Sequence, residues 1–413
     1  MNAPNGTATA ESGSAAANQW LWALLGGSLV ILLSMGVRQV SGLFLRPVAM
    51  ELGMSREAFG AAVALQNLVW GLTQPLAGML ADRYGGRVVA FGGGLVYVAG
   101  LALAAATQDG TTFMIGLGLL GGIGQAGTAF AVIFAVLGRA TPPQHRGMAL
   151  AIGSTAVSVG IFTVVPIASA LIDRYDWRPS MLVLAAAIAA IPLLALLLRE
   201  PARPQHAAPV SAGEALSATR TDRDFWLLNL GFATCGFQLA FVSTYIPAML
   251  ADGGLGATAG AAVLATIGAS NILGTWACGV AGSRWRKSRV LAVVYIVRAA
   301  AMIAFLALPL SLASAIAFGA VIGLLWTGTV PLTSQLTADL WGKRHLGFVF
   351  GLVFVGHQVG AFIGAWAGGY SYDRWGSFEP VWFLAVAASL MAAACHLVLV
   401  ERPRPIALAE QGA

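Results

Sequence analysis

The segment Gly78-Met-Leu-Ala-Asp-Arg-Tyr-Gly-Gly-Arg87 decides the fold of this chain. Asp82, Arg83 and Arg87 crowd into a turn that two adjacent glycines, Gly85 and Gly86, allow to be tight. Apolar runs flank it at 57–80 and 88–107. Each has the length, about 20 residues, that a helix needs to cross the hydrocarbon core of a bilayer. A charged turn between two such runs is a membrane hairpin. Its carboxylate, Asp82, ends one helix where it can face a neighbouring helix terminus, and Arg83 and Arg87 are placed to pair across the loop.

Outward from that hairpin the pattern repeats. Apolar runs fall near 20–46, 57–80, 88–107, 111–139, 148–171, 180–199, 225–250, 258–281, 289–309, 312–340, 347–370 and 379–400. Together they predict an all-α integral membrane protein of twelve transmembrane helices. The expected organisation is a disordered cytoplasmic tail over 1–19, a six-helix bundle over 20–199, a cytoplasmic linker over 200–224, a second bundle over 225–400 and a tail over 401–413. The halves resemble each other. Gly147, Gly160, Asp173, Arg174, Leu184 and Ala185 recur as Gly347, Gly360, Asp373, Arg374, Leu384 and Ala385. A parallel repeat of two six-helix bundles places a substrate between them near the midplane.

Composition agrees. Hydrophobic residues make up 58% of the 413 and charged residues 10%, against about 25% charged in soluble domains. The net charge of +6 lies in short loops rather than along one stripe, which excludes a nucleic-acid surface. Of the 23 Lys and Arg residues, Arg46, Arg56, Arg174, Arg178 and Arg374 fall on one side, and Arg38 and Arg298 fall inside apolar runs. The other sixteen, among them Arg203, Lys343 and Arg344, fall on the opposite side. The positive-inside rule therefore predicts both termini in the cytoplasm and an inner (plasma) membrane location. Cys235, Cys278 and Cys395 lie in apolar runs with no metal-ligand spacing, so neither a metal nor a cofactor is expected.

The hairpin turn resembles the cytoplasmic loop signature of the major facilitator superfamily, through Gly78, Leu80, Asp82, Arg83, Gly85 and Arg87. Within that superfamily the chain is similar to the branch of monocarboxylate carriers and the oxalate–formate antiporter. That likeness rests on Gly36-Val-Arg-Gln-Val-Ser-Gly-Leu-Phe-Leu-Arg-Pro47 and Gly356-His-Gln-Val-Gly-Ala-Phe-Ile-Gly364. It implies a substrate-lining role near Arg38 and a basic position at His357. An arginine of helix 8 in that branch falls near Cys278, a departure from the pattern. It also implies a conformational latch at Gly78, Asp82, Arg83, Gly85 and Arg87, with Ser283 in place of the acid in the second copy.

Placement of the charges sharpens the reading. All 17 Asp and Glu residues lie in loops, tails or helix ends. A buried arginine costs at least about 2.5–3.5 kcal/mol on insertion scales, so Arg38 and Arg298 need a partner or a function. With no membrane carboxylate available, a small organic anion is the natural counter-ion. Arg38 can grip a carboxylate through two parallel hydrogen bonds; the bland alternative is that it snorkels to the interface. His357 is a second anion contact and the candidate proton carrier, weighed against a packed core histidine. Arg298, on a peripheral helix, is assigned a structural role, paired with Asp339.

Gln39, Gln66, Asn67, Gln125, Gln238, Tyr245, Asn271, Trp326, Gln335 and Gln358 complete the expected substrate lining, although any one Asn or Gln is as readily interhelical glue. The expected function is secondary active transport of a small organic anion, a monocarboxylate first, by alternating access and with possible proton coupling. The chain is expected to act as a monomer within the lipid bilayer, and no enzymatic set is visible. The alternative is a proton-driven efflux permease for drugs, sugars or other neutral compounds, although Gly160-Ile-Phe-Thr-Val-Val-Pro166 lacks the exporter pattern of helix 5.

Overall fold

In a computed structural model, residues 19–200, 212–342, 346–404 and 406 are described. The expected tail over 1–18, linker residues 201–211 with Arg203, the basic pair Lys343 and Arg344, and residues 405 and 407–413 lie outside them.

The described chain is helical throughout. Eleven helices are long and apolar enough to cross a membrane. Helix α1 is Gln19–Gln39, resumed after a turn at Val40 as Ser41–Leu52. Then follow α3, Gly86–Ala106; α4, Gly110–Ala140; α5, Pro143–Tyr175; and α6, Trp177–Ala195. The second set is α7, Arg223–Asp252; α8, Ala257–Arg284; α9, Lys287–Ala307; α10, Leu312–Trp341; α11, Leu346–Trp375; and α12, Glu379–Val398. The twelfth span, α2, is Arg56–Tyr84. It is as long as the others but less apolar, because charged residues occupy both ends and Gln66, Asn67 and Gln74 sit inside it. Charged ends can reach water while the middle stays in lipid, so the helices overrun the apolar runs that predicted them.

Twelve spans put the described ends of the first and last of them, Gln19 and Val398, on one side, called here the side of the termini. On the opposite side the halves are bound together. Asp373, at the end of α11, accepts from the backbone amides of Arg56 and Glu57 at 3.2 and 2.7 Å. These amides are orphan donors of the first turn of α2, at the positive end of its dipole. Arg56 also pairs with Asp252 of α7 at 2.5 Å and lies 3.6 Å over the Tyr372 ring. Trp366 donates to Glu57 at 2.9 Å. Contact is backbone-close here: a Cβ added at Gly369 would collide with the Arg56 carbonyl.

On the side of the termini, the described ion pairs stay within one half. Arg139 holds Asp82 at 3.3 Å and Glu200 at 2.7 Å, and Arg404 pairs with Asp222 at 2.7 Å. The acid facing the first turn of α3 is Glu200, which accepts from Gly86 N at 2.7 Å. Asp82, expected to face a neighbouring helix terminus, meets Arg139 near the end of α4. Gly85 takes φ 92°, the left-handed turn its position requires, and Arg83 stacks on Tyr84.

Two helices, α4 and α10, are broken within their length. In α4, residues Met114–Leu120 form a π-helical stretch, and the chain opens again at Ala129, φ −95° and ψ −170°. Helix α10 opens between Leu324 and Thr329. Such breaks survive at membrane depth only where other groups satisfy the freed backbone.

Candidate anion site between the halves

Arg38 sits at the last turn before the kink of α1 and projects to α2. Its Nη2 donates to Asn67 Oδ1 at 2.5 Å, and its Cζ lies 5.1 Å from the centre of the Trp70 ring. Asn67 and Trp70 are three residues apart and share one face of α2. Each is held from behind. Asn67 Nδ2 donates to Val63 O at 2.8 Å, and Trp70 Nε1 donates to Gln74 Oε1 at 2.6 Å. Gln74 in turn reaches the Ala126 carbonyl at 3.2 Å, below the α4 break. Tyr97 of α3 is close enough to feel the guanidinium charge. Arg38 Nε has no partner, and none of its described partners is a carboxylate. The guanidinium is therefore positioned by neutral groups and retains its charge for another ligand.

Three glutamines of the same half are buried with open hydrogen-bonding capacity. Both amide atoms of Gln66 and of Gln125 lack partners, as does Gln39 Nε2. Gln66 lies against Gly121 of α4, one turn from Gln125 on the same face. Buried amides left this way cost about 1–3 kcal/mol each unless water or a ligand meets them.

His357 lies on the other side of the interface, on α11. It is buried, stacks at 3° on Phe354 with centroids 5.7 Å apart, and meets Phe232 at 4.6 Å. Its Nδ1 faces Gln358 Oε1 at 3.1 Å. Phe354 meets Trp70 edge to face at 5.3 Å. Arg38 and His357 thus flank one aromatic pair that crosses between the halves.

The remaining expected contacts are deployed differently. Gln238 turns away from the interface, donating to Ala385 O at 2.9 Å and Ser389 Oγ at 2.6 Å of α12, and accepting from Arg298 at 3.3 Å. The Tyr245 hydroxyl donates to the Ala365 carbonyl inside an aromatic cluster with Phe241 and Phe378. Asn271 bridges the halves by donating to Ser158 Oγ at 2.8 Å and accepting from Thr327 N at 3.0 Å. Trp326 is buried at the α10 break, and Gln335 is exposed.

The pairing of Arg298 with Asp339 is corrected. Asp339 pairs with Lys287 at 2.8 Å near the surface. Arg298, 1% exposed, donates to the freed carbonyls of Leu325 and Trp326 and to Gln238. It lies 11 residues past Lys287 on α9, about three turns from the pair with Asp339, and carbonyls without helical partners at the α10 break are there to receive it.

Residues that sequence reasoning passed over are Trp70, Tyr97 and Phe354. Trp70 had a readable signal in its three-residue spacing from Asn67. Tyr97 and Phe354 looked like any aromatic residue in an apolar helix.

The family model of the Major Facilitator Superfamily matches residues 27–365 and 279–413. Among curated relatives, human Monocarboxylate transporter 11 is 26% identical, over 89% of this chain and 80% of that protein. The Oxalate:formate antiporter of Oxalobacter formigenes is 22% identical, over 98% of this chain and 97% of that one. Among solved structures, a bacterial homologue of the human lysosomal transporter Spinster, inward-facing and occupied, superposes with TM-score 0.71 at 17% identity, covering 94% of this chain and 99% of that one.

Proposed function

The chain belongs to the Major Facilitator Superfamily and is a multi-pass membrane transporter, and on that premise we propose that it carries a small organic anion, a monocarboxylate first, by alternating access. The observation that carries this reading is Arg38: a guanidinium within the membrane, oriented by Asn67 and Trp70, with Nε unpartnered and no acid beside it. A carboxylate would form a charge-assisted, two-point pair with such a group. Gln39, Gln66 and Gln125 supply unpartnered amides for further oxygens of the substrate or its water. The names of the relatives above agree with an anion.

His357 is the proton carrier in this proposal. It is buried on the far side of the interface, and Phe354 and Trp70 link it to the anion position. The helices line up so that the side away from the termini is sealed by Asp373, Arg56 and Asp252. With the termini assigned to the cytoplasm of a cell's inner membrane, that is an inward-facing state. The chain works as a monomer, and moves its substrate without changing it.

Uptake of radiolabelled carboxylates into proteoliposomes tests the proposal. Saturable uptake by the wild type is expected, with loss of about 10–100-fold in apparent affinity for Arg38→Ala, the value of a hydrogen-bonded charge. Equal uptake by both would refute it.

A further inference from the structure

Asn271 is the fifteenth residue of α8 and Trp70 the fifteenth of α2. Each crosses to the other half of the molecule: Trp70 meets Phe354 of α11, and Asn271 donates to Ser158 Oγ of α5 at 2.8 Å. The two are 201 residues apart, and the correspondence continues inward at the same spacing. One turn on, Gln74 accepts from Trp70 at 2.6 Å, and Thr275 donates to Asn271 at 3.3 Å. Gln74 then reaches the Ala126 carbonyl of α4 at 3.2 Å, and Thr275 meets Thr327 Oγ1 of α10 at 3.2 Å. Ala126 and Thr327 are again 201 residues apart, and each adjoins the place where its helix is broken. Each half therefore ties the break in its fourth helix to the residue of its second helix that touches the other half.

The tie in the second half is the more direct. Thr327 N, which the α10 break takes out of helical bonding, donates to Asn271 Oδ1 at 3.0 Å, and Thr327 Oγ1 donates to the same atom at 2.9 Å. A backbone amide only donates, so the atom facing it is oxygen, and Nδ2 is left for Ser158. Arg298 donates to the carbonyls freed at Leu325 and Trp326, and its described partners all lie in its own half. Asn271 holds the amide of the same opening and is itself held by the other half. Asn271 and Ser158 are each 1% exposed, so no solvent competes for the bond between them. The rings of Trp70 and Phe354 can slide, whereas a hydrogen bond weakens steeply once its geometry is lost.

We propose that Asn271 is a positioning residue of the transport cycle, one that keeps the α10 break in its present bend only while α5 holds Asn271 in turn. When the halves rock and α5 parts from α8, Nδ2 loses Ser158, the side chain is released, and Thr327 N loses its acceptor. Movement at the interface is thereby passed to α10 through a chain of hydrogen bonds. The assignment rests on the alternating-access part of the reading above and on no particular substrate.

Hydrogen exchange of the full chain in lipid nanodiscs, followed by mass spectrometry at residues 323–330, tests it. Ser158 has no described hydrogen bond to α10, so a response there to Ser158→Ala has to travel through Asn271. Ser158→Ala is expected to speed exchange at the break by about three- to tenfold, the worth of one hydrogen bond. Thr155→Ala, on the exposed face of α5 one turn earlier, is expected to leave it unchanged. In an Asn271→Ala background Ser158→Ala is expected to add nothing, because the two act as one link. Unchanged exchange in Ser158→Ala, an equal rise in Thr155→Ala, or additive effects of Ser158→Ala and Asn271→Ala would each overturn the proposal. A second measurement serves if Asn271→Ala fails to fold. Fluorine NMR of 5-fluorotryptophan protein, with the Trp326 signal assigned by its loss in Trp326→Phe, is expected to show that signal displaced by Ser158→Ala and not by Thr155→Ala. Coincident signals in wild type and Ser158→Ala would overturn the proposal as well. Neither measurement uses a substrate, so failure of the anion reading in the uptake assay leaves both outcomes intact.

Discussion

Trp70 of α2 and Phe354 of α11 meet edge to face across the two halves, centroids 5.3 Å apart at 73°, and this contact lies between Arg38 and His357. Arg38 lies over the first ring and His357 against the second. Any rocking of one half on the other must slide or part these rings, and so moves Arg38 and His357 relative to each other. That relationship frames the expectations below.

Asn67→Asp would give Arg38 the carboxylate it lacks. The internal pair would then compete with the substrate for the same guanidinium. Anion affinity is expected to fall about 10–100-fold, the equivalent of one charge-assisted bond of about 1.5–3 kcal/mol. Quenching of tryptophan fluorescence by added carboxylate measures it. Undiminished affinity would mean that Arg38 does not hold the anion.

Asp373→Asn would weaken the grip on the α2 amides of Arg56 and Glu57. A charge at a helix N-terminus is worth about 0.3–1 kcal/mol, so the population open on that side is expected to rise by about two- to fivefold. Distance distributions between spin labels at the far ends of α2 and α11 report it. No change in the distribution would relieve Asp373 of a closing role.

Arg298→Met and Asp339→Asn are expected to differ sharply. The first leaves the Leu325 and Trp326 carbonyls without a donor at the α10 break, at a cost of about 1–3 kcal/mol per group. The second loses an exposed pair with Lys287, worth about 0–1 kcal/mol. Melting of the purified protein in detergent compares them. Equal losses would reinstate the pairing of Arg298 with Asp339.

Glu51 introduces a pH dependence on the side away from the termini. Hydrogen bonds from Arg178 at 2.6 Å and Trp177 at 2.5 Å hold its carboxyl below the ordinary glutamate value. A group depressed in the folded state stabilises it above the unfolded value and ceases to as the pH falls through the folded one. Melting temperature is therefore expected to drop on acidification below the glutamate range, and Glu51→Gln to flatten that part of the profile. A profile that Glu51→Gln leaves unchanged would show the pair to be idle.

Much of this molecule is legible without coordinates. Twelve apolar runs, the Gly78–Arg87 turn and the repeat at 200 residues follow from period and composition, because lipid leaves few choices to a chain that must satisfy its backbone internally. The charge inventory was equally readable: Arg38, Arg298 and His357 deep within the runs, and every acid in loops, tails or helix ends.

What the sequence could not settle is direction. Which face of a helix a side chain presents, and to what, depends on packing between helices far apart in the chain. Gln238 and Tyr245 share a face of α7 by spacing, yet one is spent on α12 and the other on α11. Arg298 was read as paired with an acid on a neighbouring helix, and instead satisfies carbonyls that a break in α10 sets free. That break is itself a tertiary event. For Arg38 the fold decided that Asn67 and Trp70 would hold the guanidinium in place.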